Sequence, residues 1–286
     1  MDFMYYILTG GVLFLASPFL ILRALVSSSF RNEMKGKMAG AASLPKLKDT
    51  LWIHASSVGE VRLAKTIIAG LIKEGESRPI ALSTFTSTGY ALALEETLPN
   101  VFRLPLDFPY WLNPVFDRLQ PSKLVLIEAE LWPVLLRQCK RRSIPVIQVN
   151  GRVSKKSIQR YGKFPAFLLW MTESIKQFSM RSLTDADRFL QLGVAKDRVL
   201  VTGNIKFDVT SINTEDKFYP EWKAGSLIAV FGSTRPGEEG PIMEALVKLQ
   251  KDFPSLIGVI APRHMERSRE VEDLIREFEV NYALLS

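Results

Sequence analysis

Glu60 is the first residue in this sequence whose setting suggests chemistry. It closes the stretch Leu51-Trp52-Ile53-His54-Ala55-Ser56-Ser57-Val58-Gly59-Glu60, which reads as a short apolar strand, a turn of small residues and the start of a helix. Val61, Ala64, Ile67, Ile68, Leu71 and Ile72 recur at helical spacing on one face. Ser56 and Ser57 are natural N-cap residues, and Gly59 lets a ligand come close to the backbone. Such a turn offers free N–H groups and the positive end of a helix to an anion. A carboxylate at this place, in the crevice outside the strand ends, is either a partner of the helix dipole or a base.

Four further strand ends carry reactive side chains. Glu128-Ala129-Glu130-Leu131-Trp132-Pro133 follows the apolar run 123–127, and Pro133 suits the first turn of a helix. Its two carboxylates either cap that helix or face the same crevice as Glu60. Asn150-Gly151-Arg152-Val153-Ser154 ends the run 144–149 and, with Lys155, Lys156 and Arg160, makes a basic, loop-rich segment. That segment either holds phosphate or is a solvated face. Gly232-Ser233-Thr234-Arg235-Pro236-Gly237-Glu238-Glu239 joins hydroxyls and glycines to a helix N-terminus, the chemistry of a phosphate cradle. It lacks the Gly-Lys-Ser/Thr of a Walker A loop. Ala261-Pro262-Arg263-His264 ends the next strand and brings Arg263 to the same edge, as a bidentate phosphate ligand or as a plain surface cation.

These stretches need a scaffold that presents strand ends side by side. Apolar strands are expected at 51–55, 79–84, 101–104, 123–127, 144–149, 175–180 and 198–202. Helical patterns lie at 60–74, 88–97, 133–142 and 184–192, with Thr184 and Asp187 as a capping box for the last. The alternation predicts an α/β fold with a mostly parallel sheet and helices on both faces. After a polar linker at 209–225, strand 227–231, helix 237–252, strand 256–260, helix 266–279 and strand 281–285 repeat the pattern. Residues 50–208 thus form a first domain. Residues 226–286 form a second, which is expected to be cut short because three strands and two helices do not finish such a sheet.

Residues Phe3 to Leu22 carry no charge and are long enough to cross a membrane. Arg23, Arg31, Lys35 and Lys37 follow, and only Asp2 precedes. The flank predicts a membrane anchor at 1–26 with its C-terminal side in the cytoplasm, and disfavours a cleaved signal peptide. A helix lying in one leaflet or packed on the domain is the alternative that Gly10, Gly11 and Pro18 leave open. Residues 27–49 read as a basic linker near the headgroups.

A net charge of +7 points to an anionic partner. The basic residues are scattered without an aromatic platform, which argues against nucleic acid. Cys139 is the only cysteine, so an intrachain disulfide and a cysteine zinc site are excluded; it reads as a core thiol. Two histidines, His54 and His264, are too few for a histidine metal site.

Taken together, the sequence resembles the 3-deoxy-D-manno-octulosonic acid (Kdo) transferases of lipopolysaccharide assembly. The residues that carry the resemblance are Ser56 to Glu60, Leu104-Pro105-Leu106-Asp107, Glu128 to Pro133, Asn150 to Ser154, Gly203-Asn204-Ile205-Lys206-Phe207-Asp208, Gly232-Ser233-Thr234 with Gly237-Glu238-Glu239, and Ala261 to His264, in the family's order. The resemblance implies a GT-B type fold of two Rossmann-like domains behind an inner-membrane anchor, the catalytic domains lying on the cytoplasmic side. The first domain would receive the lipid A precursor, lipid IVA, and the second would bind the donor, CMP-Kdo. The transfer would invert the anomeric centre, with no cofactor and no metal in the chemical step. By match, Glu60 is the general base and Glu128 the second acidic residue of the catalytic site, orienting acceptor or base. Ser57, Gly59, Glu130 and Arg152 meet the acceptor, and Ser233, Thr234 and Arg263 hold the CMP phosphate.

Arg235 and Met265 depart from the His and Pro common in the family. The family's nucleotide-gripping Gly-Gly-His-Asn segment lies beyond Ser286, so about two thirds of the enzyme is expected here. A GT-B transferase using another nucleotide sugar, and an inactive membrane-bound remnant, are the competing readings.

Overall fold

A computed structural model describes residues 2–38, 41, 44–207 and 225–284. The chain divides into two compact units, Met1–Ile212 and Asn213–Ser286. The polar segment at 209–225 lies outside the described residues but for Gly225.

The first unit is built on β1 (Thr50–His54), buried at all five positions. With β2 (Ile80–Thr84), β3 (Val101–Arg103), β4 (Pro121–Ile127), β5 (Val146–Gly151), β6 (Ile175–Met180) and β7 (Val199–Val201) it forms a seven-stranded sheet in the order β3-β2-β1-β4-β5-β6-β7. Every pairing is parallel. A parallel sheet is covered on both faces, which is why its central strands read as unbroken apolar runs. Side chains alternate along β1, so Trp52 enters one core with Phe102, Phe116 and Leu124, while Leu51 and Ile53 enter the other with Val61, Ala64 and Ile68. The strand order reverses between β1 and β4. That reversal opens a crevice at their C-terminal ends, where sheets of this type bind ligands.

Helices α1 (Asp2–Val26) and α2 (Ser28–Met38) precede the sheet. Its connections are α3 (Val58–Lys73), α4 (Ser87–Glu95), α5 (Pro109–Leu119), α6 (Pro133–Arg141), α7 (Lys155–Gly162), α8 (Pro165–Met171) and α9 (Leu183–Gln191). Cys139 is buried in α6, and burial pushes its thiol up from the ordinary range.

The sequence reading needs correction at several points. The basic linker 27–49 contains α2: Ser27 Oγ accepts from the Phe30 N–H, Arg31 Nη1 donates to the Ala24 carbonyl at the end of α1, and Glu33 pairs with Lys37 one turn on. The basic, loop-rich segment after Asn150 contains α7, because Ser154 Oγ accepts from the Ser157 N–H and starts a helix. Helix α5 was hidden by Pro109 and Pro114, although proline at a first helical position is compatible with a helix. The capping box of α9 is Ser182 with Asp185, two residues earlier than Thr184 and Asp187. No strand forms over 281–284; Tyr282 instead turns its hydroxyl to Glu272 and Arg276.

The second unit pairs β8 (Leu227–Thr234) with β9 (Leu256–Pro262) in parallel, joined by α10 (Glu239–Asp252) and followed by α11 (Ser268–Glu277). Gly258 sits where a Cβ would strike Leu246 of α10, so the helix lies close on β9.

Candidate active site

The site of the first unit starts from the turn between β1 and α3. Ser56 is pinned there: its carbonyl accepts from the N–H groups of Phe85 and Thr86 and from the Thr86 hydroxyl. With the turn fixed, Glu60 folds back over the first turn of α3. Its Oε2 accepts from the Ser56 N–H at 2.7 Å, and its Oε1 accepts from the Ser57 hydroxyl at 2.8 Å. Ser57 stands at the N-cap but makes no side-chain cap bond to the helix. Gly59 is exposed with open space beside it. Glu60 is buried, and its carboxyl is held above the usual range, first by burial and then by the charge of Glu130. The bonds from Ser56 and Ser57 and the nearby His54 act against that rise.

Glu130 reaches this pocket from the end of β4. Its Oε2 accepts from Trp132 Nε1 at 2.7 Å and lies 3.7 Å from His54 Nε2. Burial would raise its carboxyl, but His54, Trp132 and Ser56 bring it below the usual range. His54, fully buried at the end of β1, is oriented by Ser83: Ser83 Oγ accepts from Trp52 Nε1 and sits 2.8 Å from His54 Nδ1. The Ser83 hydroxyl also faces the Ile53 carbonyl at 3.5 Å, and the Nε2 side of the imidazole is turned toward Glu130.

Glu128 faces other partners. Its Oε2 is 3.0 Å from Arg152 Nε and its Oε1 is 3.8 Å from Lys206 Nζ. Its backbone is left-handed, with φ of 59°, a strained state for a residue with a Cβ. Two ties to β5 hold it: the Glu128 N–H donates to the Val149 carbonyl, and Gln148 Nε2 donates to the Glu128 carbonyl. Asn150 is left-handed as well, with φ of 53°, and its Oδ1 accepts from the Ile205 N–H, which brings the neighbouring Lys206 to Glu128. Asp185 supports Arg152 from behind by accepting from the Val153 N–H.

Asp107, from another of the matched segments, caps α6. Its two oxygens accept from the N–H groups of Val134 and Leu135, each at 2.9 Å, while burial pushes its carboxyl up to about 6.

In the second unit Ser233 is left-handed, with φ of 61°, at an irregularity of the β8–β9 register. Thr234 is buried with a hydroxyl that finds no partner among the described residues. The Arg263 N–H donates to the Thr234 carbonyl, and the Arg263 side chain is exposed. Ser233, Thr234 and Arg263 therefore share one sheet edge. Behind them Arg267 grips the buried Glu239 through both nitrogens, at 2.9 and 3.2 Å.

Sequence reasoning gave Glu60, Glu128 and Glu130 but passed over His54, Ser83 and Arg267. His54 was visible as the last residue of the strand that carries Glu60. Lys206 lay inside a matched segment without a role.

The profile of the family described as 3-deoxy-D-manno-octulosonic-acid transferase (kdotransferase) matches residues 31–209. The 3-deoxy-D-manno-octulosonic acid transferase of Haemophilus influenzae is 32% identical over 270 residues, covering 91% of this chain and 62% of its own length. A bifunctional glycosyltransferase/methyltransferase of Fusobacterium nucleatum is 31% identical over 283 residues, covering 93% of this chain and 43% of its own. The chain thus spans 43% and 62% of these relatives' length. Among solved structures, a putative UDP-N-acetylglucosamine 2-epimerase of Listeria monocytogenes superposes with a TM-score of 0.58 at 13% identity, over 81% of this chain and 66% of that one. At that identity the likeness concerns the fold alone, an α/β architecture of the GT-B type.

Proposed function

Because the chain belongs to the 3-deoxy-D-manno-octulosonic-acid transferase family, we propose that it takes part in an inverting transfer of Kdo from CMP-Kdo to the lipid A precursor lipid IVA, on the cytoplasmic side of the inner membrane. The observation that carries the reading is the buried Glu60 in the crevice beside β1 and β4, fixed by two hydrogen bonds and close to a second carboxylate. An acceptor hydroxyl attacks the anomeric carbon of Kdo. The bond from that carbon to the CMP phosphate breaks, the electron pair leaves with CMP, and the hydroxyl proton passes to Glu60.

A base works best with a pKa near the working pH, and burial moves Glu60 in that direction. Ser56 and Ser57 occupy one lone pair on each carboxylate oxygen and leave others for the acceptor. Glu130 and His54 set the charge around the base. Arg152, half exposed beside Glu128, meets a phosphate of the acceptor. In the second unit Ser233, Thr234 and Arg263 hold the donor phosphate, where donors aimed at developing negative charge stabilise the departing CMP.

The test is turnover by the full-length protein in detergent with lipid IVA. CMP release and a Kdo-bearing lipid from CMP-Kdo, with no product from UDP- or GDP-sugars, is the expected outcome. Use of another nucleotide sugar with CMP-Kdo left untouched would overturn the reading.

A further inference from the structure

Helix α1 is long and apolar enough to cross a bilayer, and none of its apolar window is buried. Its first turns are nevertheless tied to the folded domain. Asp2 Oδ1 accepts from Trp170 Nε1 at 2.8 Å and lies 3.0 Å from Arg137 Nε, while its Oδ2 lies 2.9 Å from Arg141 Nη2. The Tyr5 ring packs on Trp170 and Phe167 of α8, at 5.5 and 5.8 Å. The chain then returns to the same domain: Lys37, at the end of α2, sits 3.7 Å over the Phe85 ring, and Leu44 is buried in the core around Trp52. Both ends of the α1–α2 segment are therefore held on one folded body.

A spanning helix would put its two ends roughly 30 Å apart on opposite sides of the hydrocarbon. That would strip Asp2 of Arg137, Arg141 and Trp170. We propose that α1 is monotopic: its N-terminus stays on the side of the domain, and its exposed face, with Phe14 and Leu15 77% and 79% exposed, lies in one leaflet of an anionic bilayer. The charge pattern fits that occupant. Arg23, Arg31 and Lys35 follow the apolar face, and α7, which buries none of its residues, adds Lys155, Lys156 and Arg160 beside the exposed Phe164, just ahead of the α8 helix that Tyr5 touches. Basic residues bordering an apolar surface draw it to anionic headgroups.

The test uses the full-length protein with an epitope at each end, in spheroplasts and in inverted inner-membrane vesicles treated with protease. Protection of both epitopes in spheroplasts and loss of both in inverted vesicles is expected. Loss of the N-terminal epitope in spheroplasts, with the C-terminal one protected, means that α1 spans and overturns the proposal. Flotation of purified protein tests the occupant. It should float with vesicles containing phosphatidylglycerol and several-fold less with neutral ones. Failure to float, with a dimer in solution, would assign the face to a second copy and overturn it too. Neither measurement depends on the transfer reaction.

Discussion

Ser57 stands at the N-cap of α3, yet its hydroxyl donates to the Glu60 carboxylate 2.8 Å away and makes no cap bond to the helix. The first turn of α3 is left without a side-chain cap, which keeps its N–H groups available at the crevice. A helix start that gives up its cap to orient a buried carboxylate is organised around that carboxylate.

Glu60→Gln therefore separates catalysis from stability. Gln keeps the size and an acceptor oxygen but takes no proton, so turnover should fall by roughly 10²–10⁴. The melting temperature should not fall. The raised Glu60 pKa means that its contribution to stability is present below the unfolded pKa and lost as pH rises through the folded one, so the ionised group is a cost at neutral pH. Turnover and a melting curve on one mutant decide the matter. Activity within about tenfold of the parent would remove Glu60 from the mechanism.

Glu130→Gln should move the acid limb of the kcat/KM profile. Burial is the main cause of the raised Glu60 carboxyl, and the Glu130 charge comes second. Neutralising Glu130 lowers the Glu60 pKa and carries the limb to lower pH. Glu128→Gln should leave the limb in place, because that charge is matched by Arg152 and Lys206. Profiles of the two variants that shift alike would show that the separation of the two carboxylates has no bearing on the base.

Asp185 joins the α9 cap to the loop that carries Arg152. Asp185→Ala leaves the Val153 N–H without its partner and should cost about 1–3 kcal/mol at neutral pH. Burial alone would raise the Asp185 carboxyl, but Ser182, the Val153 N–H and Arg181 together bring it below the usual range. That stability is present above the unfolded pKa and lost as pH falls through the folded one. The deficit measured by urea unfolding should accordingly shrink on acidification, and a deficit independent of pH would refute this account.

Trp52→Ala tests the core beneath the site. Trp52 is fully buried against Phe102 and Phe116, at ring separations of 5.7 and 5.3 Å, and donates to Ser83. The substitution should cost about 3–5 kcal/mol in denaturant unfolding. It should also loosen His54, because Ser83 loses the donor that fixes its hydroxyl.

Arg263→Ala, in the full-length protein, should weaken CMP-Kdo binding about tenfold or more and leave lipid binding nearly unchanged, since a hydrogen bond to a charged group contributes about 1.5–3 kcal/mol. Calorimetry with CMP-Kdo reads the effect. Unchanged donor affinity would make Arg263 a surface cation only.

The sequence by itself determined the alternation of strands and helices in the first unit, because central strands covered on both faces must be apolar along their whole length. It also determined where Glu60, Glu128 and Glu130 fall, since each follows an apolar run at a strand end. It was a poor guide to α2, α5 and α7, where prolines or a dense basic composition hid helices whose starts are set by single side chains such as Ser154. The tertiary structure alone decided how the carboxylates divide. Glu130 turns to a histidine that is oriented by Ser83, 29 residues further along the chain, and Glu128 turns to a lysine drawn in by an Asn150 bond to Ile205, 55 residues on. Spacing along the chain carries no information about such pairings, because they are set by which strand ends the sheet order places side by side. The same holds for α1: its composition is that of a helix able to cross a membrane, and the tertiary structure holds its first turn at the domain through Arg137, Arg141 and Trp170 on Asp2 and through the Tyr5 ring on Phe167 and Trp170.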